Sequence, residues 1–157
     1  MKKDIKYSRF EKNLLQLIQR DASLSLQDLS DRLNQSKSSV WRTIKKLEDQ
    51  GIIKKRTTLL DARKLNLPLT VYVSIRTNQH NAQWSENFRS VVAQIPEIME
   101  VHRMSGDLDY LIKVLVSDID GYDRVYQKLI LADLFDVSSS FVMETIKSTT
   151  ELPLEQL

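Results

Sequence analysis

Arg42, Lys45 and Lys46 stand in a stretch whose apolar residues, Val40, Ile44 and Leu47, recur at helical spacing. Projecting the stretch at about 100° per residue puts that apolar set on one side. Ser38, Arg42, Lys45 and Asp49 fall opposite, with Ser39 and Lys46 on one flank and Trp41 on the other. A guanidinium or ammonium group on such a face can reach a phosphate oxygen or a guanine edge. The small hydroxylated residues Ser36, Ser38 and Ser39 at its N-terminal end allow close approach to a groove. A second basic group, Lys54, Lys55 and Arg56, follows within the β-rich segment Ile52 to Leu60. A strand or ribbon there would be a wing, laying its cations against a flanking phosphate backbone.

Enzyme chemistry has no comparable set. The chain contains no Ser/His/Asp arrangement and no phosphate-cradling glycine loop. Cysteine is absent and His80 and His102 are the only histidines, which argues against a thiolate or histidine-rich metal site. No catalytic residue, metal or cofactor is expected. Charge is unevenly spread: residues 1–60 hold fourteen Lys and Arg against seven Asp and Glu, a net of +7. Residues 61–157 hold nine against fourteen, a net of −5. A polyanion partner for the first part alone follows from this asymmetry.

The elements that must position these cations can be read from local signals. Ser8 and Glu11 form a capping box before Phe10, Leu14, Leu17 and Ile18, giving a first helix to about Arg20. Ser25 and Asp28 open a second short helix with Leu26, Leu29 and Leu33 on its buried face. Asn34 sits at the sharp turn, where it tolerates a left-handed backbone. Ser36 caps the third, cationic helix, and Gly51 stops it near Gln50. This is the layout of a helix-turn-helix, whose second helix enters the major groove.

Across all 157 residues, 41% hydrophobic and 28% charged content suits a soluble globular protein, and no apolar run approaches the ~20 residues needed to span a bilayer. Residues 1–6 carry charge without an apolar stretch, unlike a signal peptide, so a cytoplasmic protein is expected. Leu69 to Arg76 alternates as a half-buried strand. A helix through Trp84, Phe88, Val91, Val92 and Ile95 ends at Pro96, and a strand spans about Glu97 to Met104. Further strands are expected through Tyr110, Ile112, Val114 and Val116 and over Val137 to Lys147, with a helix through Tyr122, Val125, Tyr126 and Leu129 between them. The order β-α-β-β-α-β is a ferredoxin-like split βαβ unit. The expected fold is therefore α+β: a winged helix-turn-helix over residues 1–60, a linker over 61–68 and a ferredoxin-like βαββαβ domain over 69–157.

This combination, with Ser105-Gly106-Asp107-Leu108-Asp109-Tyr110-Leu111 at the central turn, resembles the Lrp/AsnC family of leucine-responsive, or feast/famine, transcription regulators. The resemblance covers about Ser8 to Lys147 and includes Leu47-Glu48-Asp49-Gln50-Gly51-Ile52-Ile53. The ending from Ser139 to Met143 and Glu144, and on through Thr149 to Pro153, is similar to a subgroup linked to cysteine detoxification. Two places depart from the family pattern. Asn34-Gln35-Ser36 stands where Gly-Leu-Ser is usual, and Leu134-Phe135-Asp136 where Pro-Gly is usual.

The resemblance implies a sequence-specific regulator that binds double-stranded DNA at a pseudo-palindromic operator and senses a small amino acid in its second domain. It implies a homodimer, assembling to an octamer, with the effector at contacts between dimers. The positions matching the effector region are Met104, Ser105, Gly106, Asp107, Asp109 and Tyr110 on the turn, and Ser140 and Val142 on the last strand. Asp109 could pair with an effector ammonium, and amides near Gly106 could receive its carboxylate. The alternative is an enzyme resembling the sirohaem decarboxylases, which share this two-domain plan. An acidic second domain suits their polycarboxylate substrate poorly.

Overall fold

The computed structural model describes residues 6–156, so the reading of residues 1–5 lies outside the described residues. The chain forms two compact units, one running to Leu59 and including the residues from Lys147 onward, the other Leu60–Ile146.

The first unit holds α1 (Arg9–Arg20), α2 (Leu26–Leu33) and α3 (Lys37–Asp49). Each helix begins as its sequence dictates. The Ser8 hydroxyl accepts from Glu11 N while Glu11 accepts from Ser8 N, and Ser25 and Asp28 repeat this reciprocal pairing. Ser36 caps α3 by accepting from Ser39 N at 3.2 Å. Asn34 ends α2 in the left-handed region with φ 50°, which permits the sharp turn. Leu14, Leu29, Val40, Ile44 and Leu47 close the three-helix core. Leu26, expected on the buried face of α2, is instead 37% exposed.

Two expectations for this unit are corrected. Ile52 to Leu60 forms no strand. The Ile52 and Ile53 amides both donate to the Leu47 carbonyl, at 2.9 and 3.2 Å, and so close the end of α3. Beyond them the chain runs without a ladder partner, since all four strands lie in the other unit. The final residues, expected within the second domain, pack here: Leu154 is 9% exposed and belongs to the helix-turn-helix core.

The second unit carries β1 (Leu69–Arg76), α4 (Ala82–Ala93), β2 (Ile98–Arg103), β3 (Tyr110–Val116), α5 (Ile119–Leu129) and β4 (Asp136–Phe141). The strands form one antiparallel sheet in the order β2-β3-β1-β4, the split βαβ topology. Alternation sends Val71, Val73, Ile75, Ile112, Val114 and Val116 into the core with Trp84, Phe88, Val125 and Leu129 from the helices. Asn81 caps α4 and Asp118 caps α5. β4 is shorter than expected, ending at Phe141 and not near Lys147. Its partner β1 begins at Leu69, and after Val142 N donates to Thr70 O at 3.0 Å no strand remains to pair with.

Candidate DNA-binding face and effector turn

The outward face of α3 is built by exclusion. Val40, Ile44 and Leu47 are buried, which leaves Ser38, Trp41, Arg42, Lys45 and Asp49 exposed. Ser36 is also exposed, but its hydroxyl is engaged at the cap and lies 3.1 Å from the Ser38 hydroxyl. Ser39 is half-buried, and its carbonyl accepts from the Thr43 hydroxyl at 2.9 Å. Arg42 folds back along the helix, with Nε donating to Ser38 O at 3.3 Å, and its guanidinium stays exposed. Trp41 is 51% exposed, an unusual position for an indole that nothing in its own unit covers.

The cations of this helix do different work. Lys45 Nζ pairs with Glu48 at 2.8 Å on the open surface, and that contact raises its pKa. Lys46 Nζ instead reaches Glu11 Oε1 at 2.7 Å, across to α1. Glu11 is nearly buried, and the Lys46 ammonium, followed by the Ser8 amide, holds its carboxyl below the usual carboxylate range. Lys46, its side chain 56% exposed, therefore joins α3 to α1 from the flank of the face where the helical projection puts it. Lys37, exposed at the first position of α3, is a cation that the projection overlooked. Its place next to the Ser36 cap was the available signal. Lys54, Lys55 and Arg56 are exposed along extended chain. They line a cleft of about 630 Å³ together with Leu15, Ile18 and Gln19 of α1.

In the second unit, the turn between β2 and β3 gathers most of the effector positions. Gly106 has φ 118°, a backbone angle disfavoured for residues with a side chain. Met104, Ser105, Gly106 and Asp107 are exposed. The turn is fastened from beneath: Met104 N donates to Asp109 O at 2.8 Å, and Asp109 N to Ile75 O at 3.0 Å. Arg76 Nε donates to Asp107 O at 2.9 Å, and Asp109 Oδ2 accepts from Thr77 N at 2.8 Å. One oxygen of the Asp109 carboxylate is thus already engaged by the backbone after β1.

Tyr110, expected on the turn, and Ser140 and Val142, expected on the last strand, complete the set. Tyr110 lies on the core face of the sheet, its ring 4.6 Å from Phe88 and 5.7 Å from Trp84 between centroids. Ser140 is exposed on β4, where it pairs with Tyr72 of β1, two strands from the turn. Val142 falls just past the strand. Among the described residues no group of three or more His, Asp or Glu side chains could hold a metal ion, and no helix is long and apolar enough to cross a membrane.

Residues 70–152 match the Lrp/AsnC ligand binding domain, and residues 8–54 match a winged helix-turn-helix DNA-binding domain. The chain belongs to the Lrp/AsnC family. It is 43% identical over 152 residues to the glutamate uptake regulatory protein of Zymomonas mobilis, covering 96% of this chain and 93% of that one. Its fold is similar to the crystal structure of an AsnC family transcriptional regulator from Agrobacterium tumefaciens, with TM-score 0.91, 44% identity, and coverage of 96% and 99%. A transcriptional regulator from Neisseria meningitidis, solved as an L-Met complex, is similar with TM-score 0.90 and 29% identity over 96% and 99% of the two chains. As an Lrp/AsnC protein the chain is a DNA-binding transcriptional regulator with a ligand-binding domain. These relatives are regulators, not enzymes, and the decarboxylase alternative finds no support among them.

Proposed function

We propose that this Lrp/AsnC regulator reads a pseudo-palindromic operator as a homodimer and is controlled by a compact amino acid bound at the β2–β3 turn. Arg42 reads a base edge at the centre of the outward face, with Ser38 and Trp41 beside it. Lys45, Lys54, Lys55 and Arg56 contact phosphates. One recognition helix covers only a few base pairs, so a dimer presents two of them about 34 Å apart or at a multiple of that spacing. The sheet face away from α4 and α5 supports self-pairing: it presents Tyr72, 37% exposed, near the ion pair of Lys113 with Glu100 at 2.9 Å. Assembly of dimers to an octamer and a cytoplasmic location complete the reading.

The observation that carries the effector site is the exposed, fastened turn of Ser105, Gly106 and Asp107 next to Asp109. The second oxygen of Asp109 is the group for an effector ammonium, and Met104 offers apolar contact. The L-Met complex of the Neisseria relative supports a compact sulfur or aliphatic amino acid, cysteine and methionine among them. A thermal-shift screen of the twenty amino acids tests this, because a ligand bound only by the folded state raises its melting temperature. No response to any of them would remove the amino-acid effector from the reading.

A further inference from the structure

The last residues of the chain form a strap across the DNA-binding unit. Gln19 of α1 grips it through both ends of its amide: Nε2 donates to Leu152 O at 3.1 Å and Oε1 accepts from Leu152 N at 3.0 Å. Beside this, Arg20 Nε pairs with Glu151 at 2.9 Å. Leu154 then inserts into the core formed with Leu14, Leu15 and Leu47. This is the pairing of a strand edge, made by one side chain, followed by an apolar anchor.

The strap also faces the basic segment. Thr150, Leu152 and Leu154 share the walls of the 630 Å³ cleft with Lys54, Lys55, Arg56 and Leu59. That segment has no strand pairing of its own. Residues 54–60 are exposed, so the cleft shared with the strap is the packing that can offset the conformational entropy of ordering them. Ile52 and Ile53 anchor its beginning on the helix-turn-helix core, and the strap lines the same cleft. The strap carries only Lys147 and Glu151 as charges between Lys147 and Leu154, so it adds no net cation to the face.

We infer that the strap is a positioning element for DNA binding: Gln19 and Leu154 hold Lys54, Lys55 and Arg56 in place for phosphate contact without touching DNA themselves. The inference rests on the proposed phosphate role of those three cations. The test is DNA affinity against salt for the full chain carrying Gln19→Leu or Leu154→Ala, beside a Lys54→Ala, Lys55→Ala, Arg56→Ala triple variant. Each phosphate contact contributes about 0.9 to the slope of log affinity against log salt. The triple variant flattens that slope by up to about 2.7 per DNA-binding unit. Gln19→Leu, which removes both hydrogen bonds at similar volume, reproduces part of the flattening and weakens binding about ten-fold at moderate salt. It does so with a melting temperature near that of the parent. Leu154→Ala does the same with a lower melting temperature. An unchanged slope in both strap variants overturns the inference, even if affinity falls, since lost stability alone leaves the contacts of the folded protein intact. An unchanged slope in the triple variant overturns the phosphate reading itself and the inference with it.

Discussion

The outward face of α3 and the β2–β3 turn present their polar groups in opposite states. On α3 the helix satisfies its own backbone, Ser36 caps the end, and Arg42 stays exposed with only a 3.3 Å contact from Nε to Ser38 O. In the turn, the polar groups are already joined to the protein: Asp109 to Thr77, and the Asp107 carbonyl to Arg76. A helix surface can offer side chains to a partner because its architecture is complete without them. A turn must first use its polar groups to hold its own shape, and can offer a ligand only what remains. The DNA-binding face is therefore open to a large polyanion, whereas the turn suits a small ligand that adds a few directed contacts.

Breaking the exposed side of this comparison should give a large effect. Arg42→Ala is expected to weaken specific operator binding by about 1–3 kcal/mol and relax discrimination at one base position. A mobility-shift titration against operator and single-base variants checks this; unchanged affinity and specificity would show that another residue occupies the centre of the face.

Asp109→Asn tests the committed side. The amide oxygen can still accept from Thr77 N, so the turn keeps its shape while the charge is lost. Effector affinity should drop by about 1.5–3 kcal/mol, the range for a hydrogen bond to a charged group, and effector-free DNA binding should stay near normal. Calorimetry that finds equal effector affinity in both proteins would assign Asp109 to the turn alone.

Glu11→Ala probes what lies beneath the open face. It removes half of the capping box and the partner of Lys46, with an expected loss of about 1 kcal/mol in stability from the cap. The pH dependence has a definite sign. Because the folded protein holds the Glu11 carboxyl below its ordinary value, its contribution is full above that ordinary value and disappears as pH falls through the lower folded one. Denaturant titrations of parent and variant should therefore converge in acid and separate toward neutral pH. A constant difference down to the most acidic point would place the effect in packing and not in the carboxylate.

The smallest effect separates two adjacent lysines. Lys45→Ala should flatten the salt dependence of DNA binding by about one unit of slope, as expected for a single phosphate contact. Lys46→Ala should leave the slope alone and lower the melting temperature, because its ammonium is given to Glu11. The reverse result would assign Lys46 to DNA contact.

The capped helices were legible because their signals are local. Ser8, Ser25, Ser36 and Asn34 each act within a few residues of themselves, and the buried set Val40, Ile44 and Leu47 follows from period alone. The same holds for the alternating residues of β1 and β3. The rest was not legible, because a long-range partner decides the outcome. Lys46 lies at the edge of the projected face, and only the packing of α1 against α3 brings Glu11 to it. Ile52 to Leu60 has strand-forming residues but no neighbour to pair with in its unit. Tyr110 reads as part of a turn motif, yet the pleat that follows turns its ring toward Phe88. The docking of Leu152 and Leu154 left no periodic trace, since a short extended segment has none to leave.

The chain departs from the DNA-binding unit after Leu59 and rejoins it at Lys147. Synthesis runs from the first residue to the last, and units fold as their residues emerge. The sheet and helices of Leu60–Ile146 are consequently available before Leu154 can enter the helix-turn-helix core. The first unit therefore closes its core only with residues made after the whole of the second unit, so the two ends of the chain must meet for its packing to be complete.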